Sequence, residues 1–226
     1  MTTTLISGAN RSLGLETARR LIDAGHTVYA GMRDLASAAE VQNVGAHPVQ
    51  LDVTDQRSIE AALAQLPELD VLVNNAGVLG RSFGVDDLDA DAMREVFDTN
   101  VFGVVRLTQA ALPLLRRSSN PVIVNVASGV GFARSLATPG TDEHFVRAVP
   151  YASSKAAVIA LTLQYAKNLP DFRVNASDPG YTSTDFNGHR GHQTITEGTD
   201  ATVMLAQLGT GGPTGKFFNR NGDIDY

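Results

Sequence analysis

Tyr151 and Lys155 lie four residues apart in the stretch YASSK, inside a segment whose pattern predicts a helix. Residues four apart share one face of a helix, so the two side chains are expected to be neighbours. A tyrosine usually titrates at about pH 10 and is a poor base at neutral pH. An ammonium group beside it favours the phenolate and lowers its pKa, which would let the phenol give and take a proton. The same spacing also occurs on ordinary helix surfaces, so the pair needs further support.

A glycine turn near the N-terminus gives that support. In LISGANRSLGL, residues 5–15, Gly8 and Gly14 lie between a predicted strand and a predicted helix. Backbone N–H groups of such a turn, and the N-terminus of the following helix, face a bound phosphate. Ser12 stands where a further glycine would be usual, and we expect it to have a negative φ and to offer its hydroxyl to the phosphate. An ordinary strand–helix connection is the alternative.

The end of the second predicted strand indicates which nucleotide would bind. Folds that prefer NAD place a carboxylate about 20 residues beyond the glycine turn, but this chain has Met32 there, followed by Arg33. A guanidinium binds a 2′-phosphate with two hydrogen bonds, whereas a carboxylate repels it. Arg11 lies close enough in sequence to share that phosphate, so the sequence favours NADP(H), with NAD(H) as the open alternative. Both arginines could instead be solvated surface residues.

These residues need a scaffold that brings distant segments to one edge. Short strand-like runs, several rich in Val and Ile, alternate with helical patterns along the chain. The alternation predicts an α/β fold, a parallel sheet with helices on both faces, whose ligands bind beyond the carboxyl ends of the strands. We expect a single domain over residues 1–226. The predicted strands are TTLIS, TVYAG, PVQLDV, LDVLVNN, PVIVNVA, FRVNASD and GKFFN, and the predicted helices are 13–25, two that begin at Asp34 and Asp55, 89–117 and 151–169.

The composition limits the classes of function. Apolar residues make up 43% of the 226 positions and charged residues 19%, values that are ordinary for a soluble globular protein. No apolar run approaches the ~18 residues of a membrane span, and MTTTLISG does not resemble a signal peptide, so a cytoplasmic protein without membrane association is expected. The net charge of −6 argues against nucleic-acid binding. The absence of cysteine excludes disulfides, thiolate chemistry and cysteine–zinc sites.

The motifs together resemble those of the short-chain dehydrogenase/reductase family, in its compact branch, over almost the whole chain. Each motif alone is only suggestive, but seven of them occur in the family's order after successive predicted strands. Ser7 and Ser12 are the two departures within the glycine turn. The matching stretches are SGANRSLG, Asp52 in LDV, the unaltered Asn74–Gly77, Asn100 in DTNVFG, Ser128 in IVNVASGVG, YASSK, and PGYTST from Pro179 to Thr184.

The resemblance implies a doubly wound Rossmann fold with a seven-stranded parallel sheet and a carbonyl-reductase-like activity. It implies that Tyr151 transfers the proton, that Ser128 hydrogen-bonds the substrate oxygen, and that Lys155 also bonds the nicotinamide ribose. Asn100 would hold a water molecule that links Lys155 to solvent. The substrate would be a small or medium-sized ketone, aldehyde or alcohol.

The resemblance also implies a set of cofactor contacts and a mode of assembly. The backbone at Thr182 and the side chain of Thr184 are expected to contact the carboxamide and the phosphate. Relatives form homodimers or homotetramers through helices equivalent to 89–117 and 151–169. The expected NADP(H) contacts are Gly8, Asn10, Arg11, Ser12, Leu13, Gly14, Arg33, Asp52, Val53, Asn74, Ala76, Gly77, Tyr151, Lys155, Pro179, Gly180, Thr182 and Thr184.

The chain departs from the family pattern between Ser128 and Tyr151. These residues are 23 positions apart, about ten more than the compact family shows, and loop insertions cost little entropy. We expect the segment 132–150 to form part of the substrate wall, and the segment after Thr184 to act as a lid hinged at glycines 188, 191 and 198. No metal site is expected, although His189 and His192 are three residues apart. The predicted substrate neighbours are Val130, Phe132, Phe145, Tyr181 and Phe186.

Two other functions use related folds. A catalytically idle NADP(H) sensor would typically lack the tyrosine or the lysine, and this chain has both. A sugar-modifying epimerase or dehydratase of the extended family branch would need a substantial C-terminal substrate domain, and only 42 residues follow Thr184. The fold alone excludes neither.

Overall fold

The computed structural model describes residues 1–224 and contains one eight-stranded sheet flanked by helices. The strands are β1 (Thr3–Ser7), β2 (Thr27–Met32), β3 (His47–Gln50), β4 (Val71–Asn74), β5 (Val122–Val126), β6 (Arg173–Ser177), β7 (Phe217–Asn219) and β8 (Gly222–Asp223). The α-helices are α1 (Ser12–Asp23), α2 (Ala38–Asn43), α3 (Gln56–Leu63), α4 (Ala90–Phe97), α5 (Gly103–Leu115), α6 (Ala133–Ala137), α7 (Asp142–Phe145), α8 (Val149–Asn168), α9 (Ile195–Gly198) and α10 (Asp200–Ala206).

The sheet order β3-β2-β1-β4-β5-β6-β7-β8 is that of a doubly wound fold. Pairing is parallel from β3 to β7, so the predicted seven-stranded parallel sheet is confirmed. The chain runs outward from β1 on one side and from β4 on the other, which places a crevice at the carboxyl ends of these two strands. The short β8 was not predicted. It pairs antiparallel with β7 after a two-residue turn that leads into Gly222, whose φ is +128°.

Both faces of the sheet are covered because successive strand residues point to opposite sides. On one face Leu72 joins an apolar cluster with side chains of α3, α5 and α8. On the other face its neighbours Val71 and Val73 join a cluster with side chains of α1, α2 and α10. This two-sided burial explains why the central strands are apolar at consecutive positions.

The predicted helix 89–117 is wrong as a single α-helix. Asp89 begins α4 by accepting a hydrogen bond from the N–H of Ala92 at 2.6 Å, and α5 follows, but Asp98–Phe102 between them is a π-helical segment. Such widened turns are frequent at functional sites because they redirect side chains. The predicted helix 151–169 corresponds to α8. Among residues 1–224, no helix is both long and apolar enough to cross a membrane.

Candidate active site

A cleft of about 850 Å³ lies at the carboxyl ends of the strands. Of the predicted site residues, Asn74, Asn100 and Phe132 do not line it, and all the others do. The predicted nucleotide residues in its lining are Gly8, Asn10, Arg11, Ser12, Leu13, Gly14, Arg33, Asp52, Val53, Ala76, Gly77, Tyr151, Lys155, Pro179, Gly180, Thr182 and Thr184. The predicted substrate neighbours in its lining are Val130, Phe145, Tyr181 and Phe186, together with the predicted catalytic Ser128.

The glycine turn is packed so tightly that its two glycines have no room for a side chain. Gly8 has a φ of +66°, and a Cβ built there would lie 3.0 Å from the Cα of Ala76. A Cβ built on Gly14 would lie 2.3 Å from the carbonyl oxygen of Gly8. The first turn of α1 therefore lies directly against the turn, and its N-terminus borders the cleft.

Ser12 corrects one expectation. Its φ is +53° rather than negative, a left-handed conformation that costs a residue with a Cβ roughly 1–2 kcal/mol. Its hydroxyl oxygen is buried and has no hydrogen-bond partner among the described residues. Buried polar atoms are nearly always paired, so an unpaired hydroxyl at the N-terminus of α1 suits a ligand oxygen.

The two roles of Ser12 can be separated by substitution. We expect Ser12→Gly to raise the stability against thermal unfolding by about 1 kcal/mol, because glycine adopts φ > 0 without cost. Ser12→Ala keeps the cost of the backbone conformation and loses only the hydroxyl. Both variants should bind NADPH about tenfold more weakly, the effect of one hydrogen bond to a charged oxygen. Thermal melts and fluorescence titration measure these effects, and unchanged binding in both variants would contradict a phosphate contact.

Asn75 is a cleft residue that the sequence analysis missed. Its side-chain amide donates 2.9 Å hydrogen bonds to the carbonyl oxygens of Ser7 and Gly8, and its backbone N–H donates to the Ser7 hydroxyl at 3.0 Å. The loop after β4 thus holds the glycine turn in place. Its neighbour Asn74, which was predicted to touch the cofactor, is buried and donates instead to Thr108 and Asn125 at 3.0 and 2.8 Å.

The predicted phosphate-reading arginines both border the cleft but differ in their partners. Arg11 lies 3.7 Å from the carboxylate of Asp185. Arg33 is exposed at the end of β2 and takes part in no ion pair within residues 1–224. Two further cleft arginines, Arg147 and Arg190, were not predicted. Arg33 therefore has a guanidinium at the carboxyl end of β2 that is not paired with a carboxylate of the described residues and is available to bind a phosphate.

Tyr151 and Lys155 lie on the first turns of α8. Lys155 is buried and its ammonium donates to the carbonyl oxygen of Val126 at 2.7 Å. Its nitrogen is 5.6 Å from the centre of the Tyr151 ring. Burial lowers the pKa of Lys155 to about 8. One wall of the cleft therefore carries the phenol of Tyr151 and the ammonium group of Lys155, whose pKa of about 8 lies near neutral pH.

Among the protein atoms alone, the pKa of Tyr151 is raised rather than lowered, and the predicted lowering, which also depends on the positive nicotinamide ring of an oxidised cofactor, stays a prediction. The protein atoms packed around the Tyr151 hydroxyl raise its pKa, and a hydrogen bond with Ser128 lowers it by a smaller amount. The nearby carboxylate of Asp178 raises it further. Tyr151 is consequently a protonated phenol at neutral pH and carries the proton that a carbonyl reduction needs.

Asn100 lies in the π-helical segment, behind the cleft wall. Its side chain accepts from the N–H of Val78 at 2.8 Å and donates to the Val78 carbonyl at 2.9 Å and to Ser154 at 3.0 Å. A Cβ built on Gly77 would lie 3.5 Å from its amide oxygen and 3.7 Å from the nitrogen of Lys155. Asn100 and Lys155 thus approach the same glycine, although Asn100 does not line the cleft.

The insertion 132–150 contributes to the cleft wall through its second half. It forms α6 and α7, and Asp142 and residues 145–148 line the cleft. The prediction for Phe132 is wrong, because its ring packs 6.0 Å from that of the fully buried Phe217, inside the fold. The apolar residues of this segment that do reach the cleft are Phe145, Val146 and Ala148.

Aromatic rings surround the mouth of the cleft beside Tyr151. Phe186 lies 5.4 Å from the Tyr151 ring, measured between centroids. Phe83, Phe145 and Tyr181 also line the cleft while 45%, 68% and 39% exposed. Large apolar side chains concentrated in one concave surface indicate a binding site for an apolar ligand.

The segment after Thr184, which was expected to act as a lid, is packed against the loop that follows β6. Cβ atoms built on Gly191 and Gly198 would lie 2.2 Å from atoms of Thr182, so these glycines serve close packing instead of hinging. The N–H of Ser183 donates to the carbonyl of Gln193 at 2.9 Å. The N–H of Thr182 donates to Gly180 at 3.0 Å. His189 and His192 face single carboxylates, those of Asp185 and Asp142, and no metal-binding group of three such residues occurs among the described positions.

Asp178, directly before Pro179, is a second residue that the sequence analysis missed. It is 7% exposed and accepts a hydrogen bond from the N–H of Gly180 at 2.9 Å. Burial raises its pKa, and the hydrogen bond from the N–H of Gly180 lowers it by a smaller amount.

Comparison with known proteins agrees with this geometry. A family model described as short chain dehydrogenase matches residues 2–194. A short-chain dehydrogenase/reductase of Saponaria officinalis is 30% identical, with 96% of this chain and 93% of that protein aligned. The (−)-isopiperitenone reductase of Mentha piperita is 31% identical, with 96% of each aligned.

A solved structure shares the fold over the whole chain. The NADPH-bound carbonyl reductase from chicken fatty liver superposes with a TM-score of 0.88 at 28% identity, covering 100% of this chain and 98% of that one. The matches confirm the resemblance that the motifs predicted. The chain belongs to the short-chain dehydrogenase family, whose members are oxidoreductases that use nicotinamide cofactors.

Proposed function

We propose that this protein is an NADPH-dependent reductase of ketones or aldehydes, and that it also catalyses the reverse oxidation of the alcohols. The observation that carries the proposal is the position of Tyr151 and Lys155 in the same cleft as the glycine turn. The proton-donating group in this cleft consists of three side chains: the phenol of Tyr151, the hydroxyl of Ser128 and the buried ammonium of Lys155. NADPH, when bound, supplies the hydride.

The cleft residues fit the cofactor at its phosphate end. The turn at Gly8 and Gly14 has no room for a side chain and borders the cleft, and the buried hydroxyl of Ser12 lacks a partner among the described residues. Arg33, with no ion pair of its own among the described residues, would bind the 2′-phosphate. Asp52, which accepts from the N–H of Thr54 at 2.9 Å, would face the adenine.

The catalytic side chains act on the carbonyl oxygen of the substrate. Ser128 donates a hydrogen bond to that oxygen and stabilises the negative charge that develops on it. Tyr151 transfers its phenolic proton to the same oxygen. The ammonium of Lys155 stabilises the phenolate that remains. Asn100 binds a water molecule that links Lys155 to solvent and so allows proton transfer.

The mouth of the cleft supports a medium-sized, apolar carbonyl compound as the substrate. Rings from three separate segments, at Phe83, Phe145 and Phe186, line the cleft, and that of Phe186 lies 5.4 Å from the Tyr151 ring. The similarity to an isopiperitenone reductase and to an NADPH-bound carbonyl reductase supports the same class of reaction and cofactor.

The proposal is tested by following the absorbance of reduced nicotinamide with NADPH and with NADH against ketones, aldehydes and quinones. We expect turnover with NADPH. Arg33→Ala should raise the KM for NADPH about 10- to 100-fold, because a guanidinium–phosphate hydrogen bond contributes about 1.5–3 kcal/mol. The KM for NADH should stay within about twofold, because an exposed arginine contributes little without its phosphate.

Arg116→Ala is the matched control, since Arg116 is an exposed arginine at the end of α5 and away from the cleft. It should leave both KM values unchanged. Equal losses for the two cofactors in Arg33→Ala would contradict NADP(H) preference. Tight NADPH binding without turnover of any carbonyl compound would favour the idle sensor.

A further inference from the structure

An arginine of the insertion borders the cleft close to the catalytic helix and has no part in the mechanism above. Arg147 lines the cleft and is exposed. It lies two residues before α8, whose first turn carries Tyr151. The N–H of Val149 donates to the carbonyl of Phe83 at 3.2 Å. The backbone next to Arg147 is thus joined to the catalytic helix on one side and to an aromatic segment of the cleft mouth on the other.

The guanidinium of Arg147 has neither an ion pair nor a hydrogen bond within residues 1–224. The two acidic residues nearest to it in sequence are directed elsewhere. Asp142 faces His192 at 3.6 Å. A Cβ built on Gly129 would lie 2.6 Å from Oε1 of Glu143, which places this carboxylate against the turn after β5. The N–H donors of Arg147 are therefore available to a ligand in the cleft.

The lining of the cleft is more cationic than the chain as a whole. It contains three carboxylates and five cationic side chains, whereas the chain carries a net charge of −6. The cationic side chains are those of Arg11, Arg33, Arg147, Lys155 and Arg190. Arg11 and Arg33 were expected at the 2′-phosphate, and Lys155 acts on the phenol. Two arginines thus remain without a role, in a concave site where positive charge attracts anions.

Arg147 and Arg190 differ in their restraints and in their positions. The Nε of Arg190 donates to the carbonyl of Asn187 at 3.0 Å, and the side chain of Asn187 donates to the carbonyl of Thr182 at 2.8 Å. Arg190 is therefore tied to the loop after β6, which was expected to contact the cofactor. Arg147 follows β5, and the strands β1 and β4 separate β5 from the phosphate-reading end of β2. Arg147 consequently lies on the substrate side of the cleft.

Apolar side chains surround this part of the cleft. Phe145 and Val146 directly precede Arg147 and line the cleft while 68% and 38% exposed. Across the cleft mouth, Phe186 lies 5.4 Å from the Tyr151 ring. Apolar walls with a few polar groups suit a ligand with an apolar body. A guanidinium matches the two oxygens of a carboxylate with two parallel hydrogen bonds, so it suits an anionic end on the same ligand.

We propose that the substrate is an apolar keto acid or aldehyde acid, whose carbonyl group is reduced beside Tyr151 and whose carboxylate is bound by Arg147. The proposal rests on the function proposed above and narrows its substrate class. The reaction is unchanged: the carbonyl carbon receives the hydride and its oxygen receives the proton of Tyr151. The carboxylate keeps its bonds and its charge. Arg147 contributes binding alone and so selects between substrates.

Two probes that differ only in the anionic group test this proposal: β-benzoylpropionic acid, which is an aryl keto acid, and its methyl ester. Both carry the same phenyl ketone, so their contacts with the aromatic rings are shared. In the parent, kcat/KM with NADPH should be about tenfold higher for the acid than for the ester. This is the lower end of the effect of a charge-assisted hydrogen bond, because the guanidinium is exposed. In Arg147→Ala the ratio should fall to about one.

Arg134→Ala is the matched control, because Arg134 is an exposed arginine of the same insertion that does not line the cleft. It should keep the ratio of the parent. Equal kcat/KM values for acid and ester in the parent would overturn the proposal, and so would a ratio that survives in Arg147→Ala. A ratio that falls only in Arg190→Ala would also overturn it, because the carboxylate would then be bound by the loop after β6.

Calorimetry gives a second readout that does not require turnover. In protein saturated with NADP⁺, which cannot reduce a carbonyl group, the acid should bind about tenfold more tightly than the ester, and Arg147→Ala should remove the difference. Added salt should weaken the binding of the acid alone, because exposed ion pairs are screened. A parent protein that reduces no carbonyl compound would contradict the proposed function, while the two dissociation constants would still decide whether Arg147 binds the carboxylate.

Discussion

Tyr151→Phe is expected to lower kcat for carbonyl reduction by about 10²- to 10⁴-fold, the usual contribution of a general acid. The substitution removes one oxygen and keeps the ring that packs 5.4 Å from Phe186. The affinity for NADPH, measured by fluorescence titration, should therefore stay close to that of the parent. The KM for the substrate should also change little, since the phenol acts mainly on the charge that develops during the reaction.

Tyr165→Phe is the control for removing a phenolic hydroxyl from the same helix. Its hydroxyl accepts a hydrogen bond from Gln109 at 3.1 Å, on the far part of α8 from the cleft. This variant should keep the activity of the parent. If Tyr151→Phe turned over at a rate near that of the parent, another group would have to protonate the substrate oxygen, and the proposed mechanism would be wrong.

The sequence predicts the sheet well because burial on both faces leaves a clear pattern. Short apolar runs, several of them rich in Val and Ile, mark β1 to β7, and side-chain caps such as Asp55 and Asp89 mark the starts of helices. The strand β8 has only two residues, too few for any periodicity. Its one local signal is Gly222, which follows the two turn residues and has a φ of +128°.

Site residues that directly follow a strand could be predicted from the sequence. Residues whose orientation is set by contacts with distant segments were harder to predict. Phe132 and Phe145 are both aromatic residues of the insertion, and nothing in the sequence tells which ring meets Phe217 in the interior. Asn75 and Asp178 depend on contacts with turns distant in the chain. The pKa of Tyr151 depends first on burial, which raises it, and the four-residue spacing to Lys155 carries no information on burial.

The backbone at Ser12 and the π-helical segment show a related limit. Serine gives no signal for a left-handed conformation, so its positive φ comes from the packing of the glycine turn against the loop after β4. The pattern of 89–117 fits one amphipathic helix, and the extra residue per turn at Asp98–Phe102 leaves that pattern almost unchanged. Both features lie next to the proposed site, where local rules are most often overridden.

Lys155→Met is expected to lower kcat/KM for NADPH-dependent reduction by about 10²- to 10³-fold, because it removes a preorganised positive charge from the reacting centre. Methionine occupies a similar volume in the buried position. The substitution leaves the buried carbonyl of Val126 without its donor, so a thermal melt is needed to show that the variant is folded at the assay temperature. Lys167→Met, at an exposed position of the same helix, is the control and should keep full activity.

The same variant assigns the pH dependence of the parent. A lysine carries its charge below its pKa, and burial lowers the pKa of Lys155 to about 8. In the parent, kcat/KM for reduction should therefore fall as the pH rises through about 8, since this ratio reports ionisations of the free enzyme. Tyr151 does not contribute to that fall, because its raised pKa keeps it protonated there. Lys155→Met should show low activity without this fall, and a retained fall near pH 8 would assign it to another group.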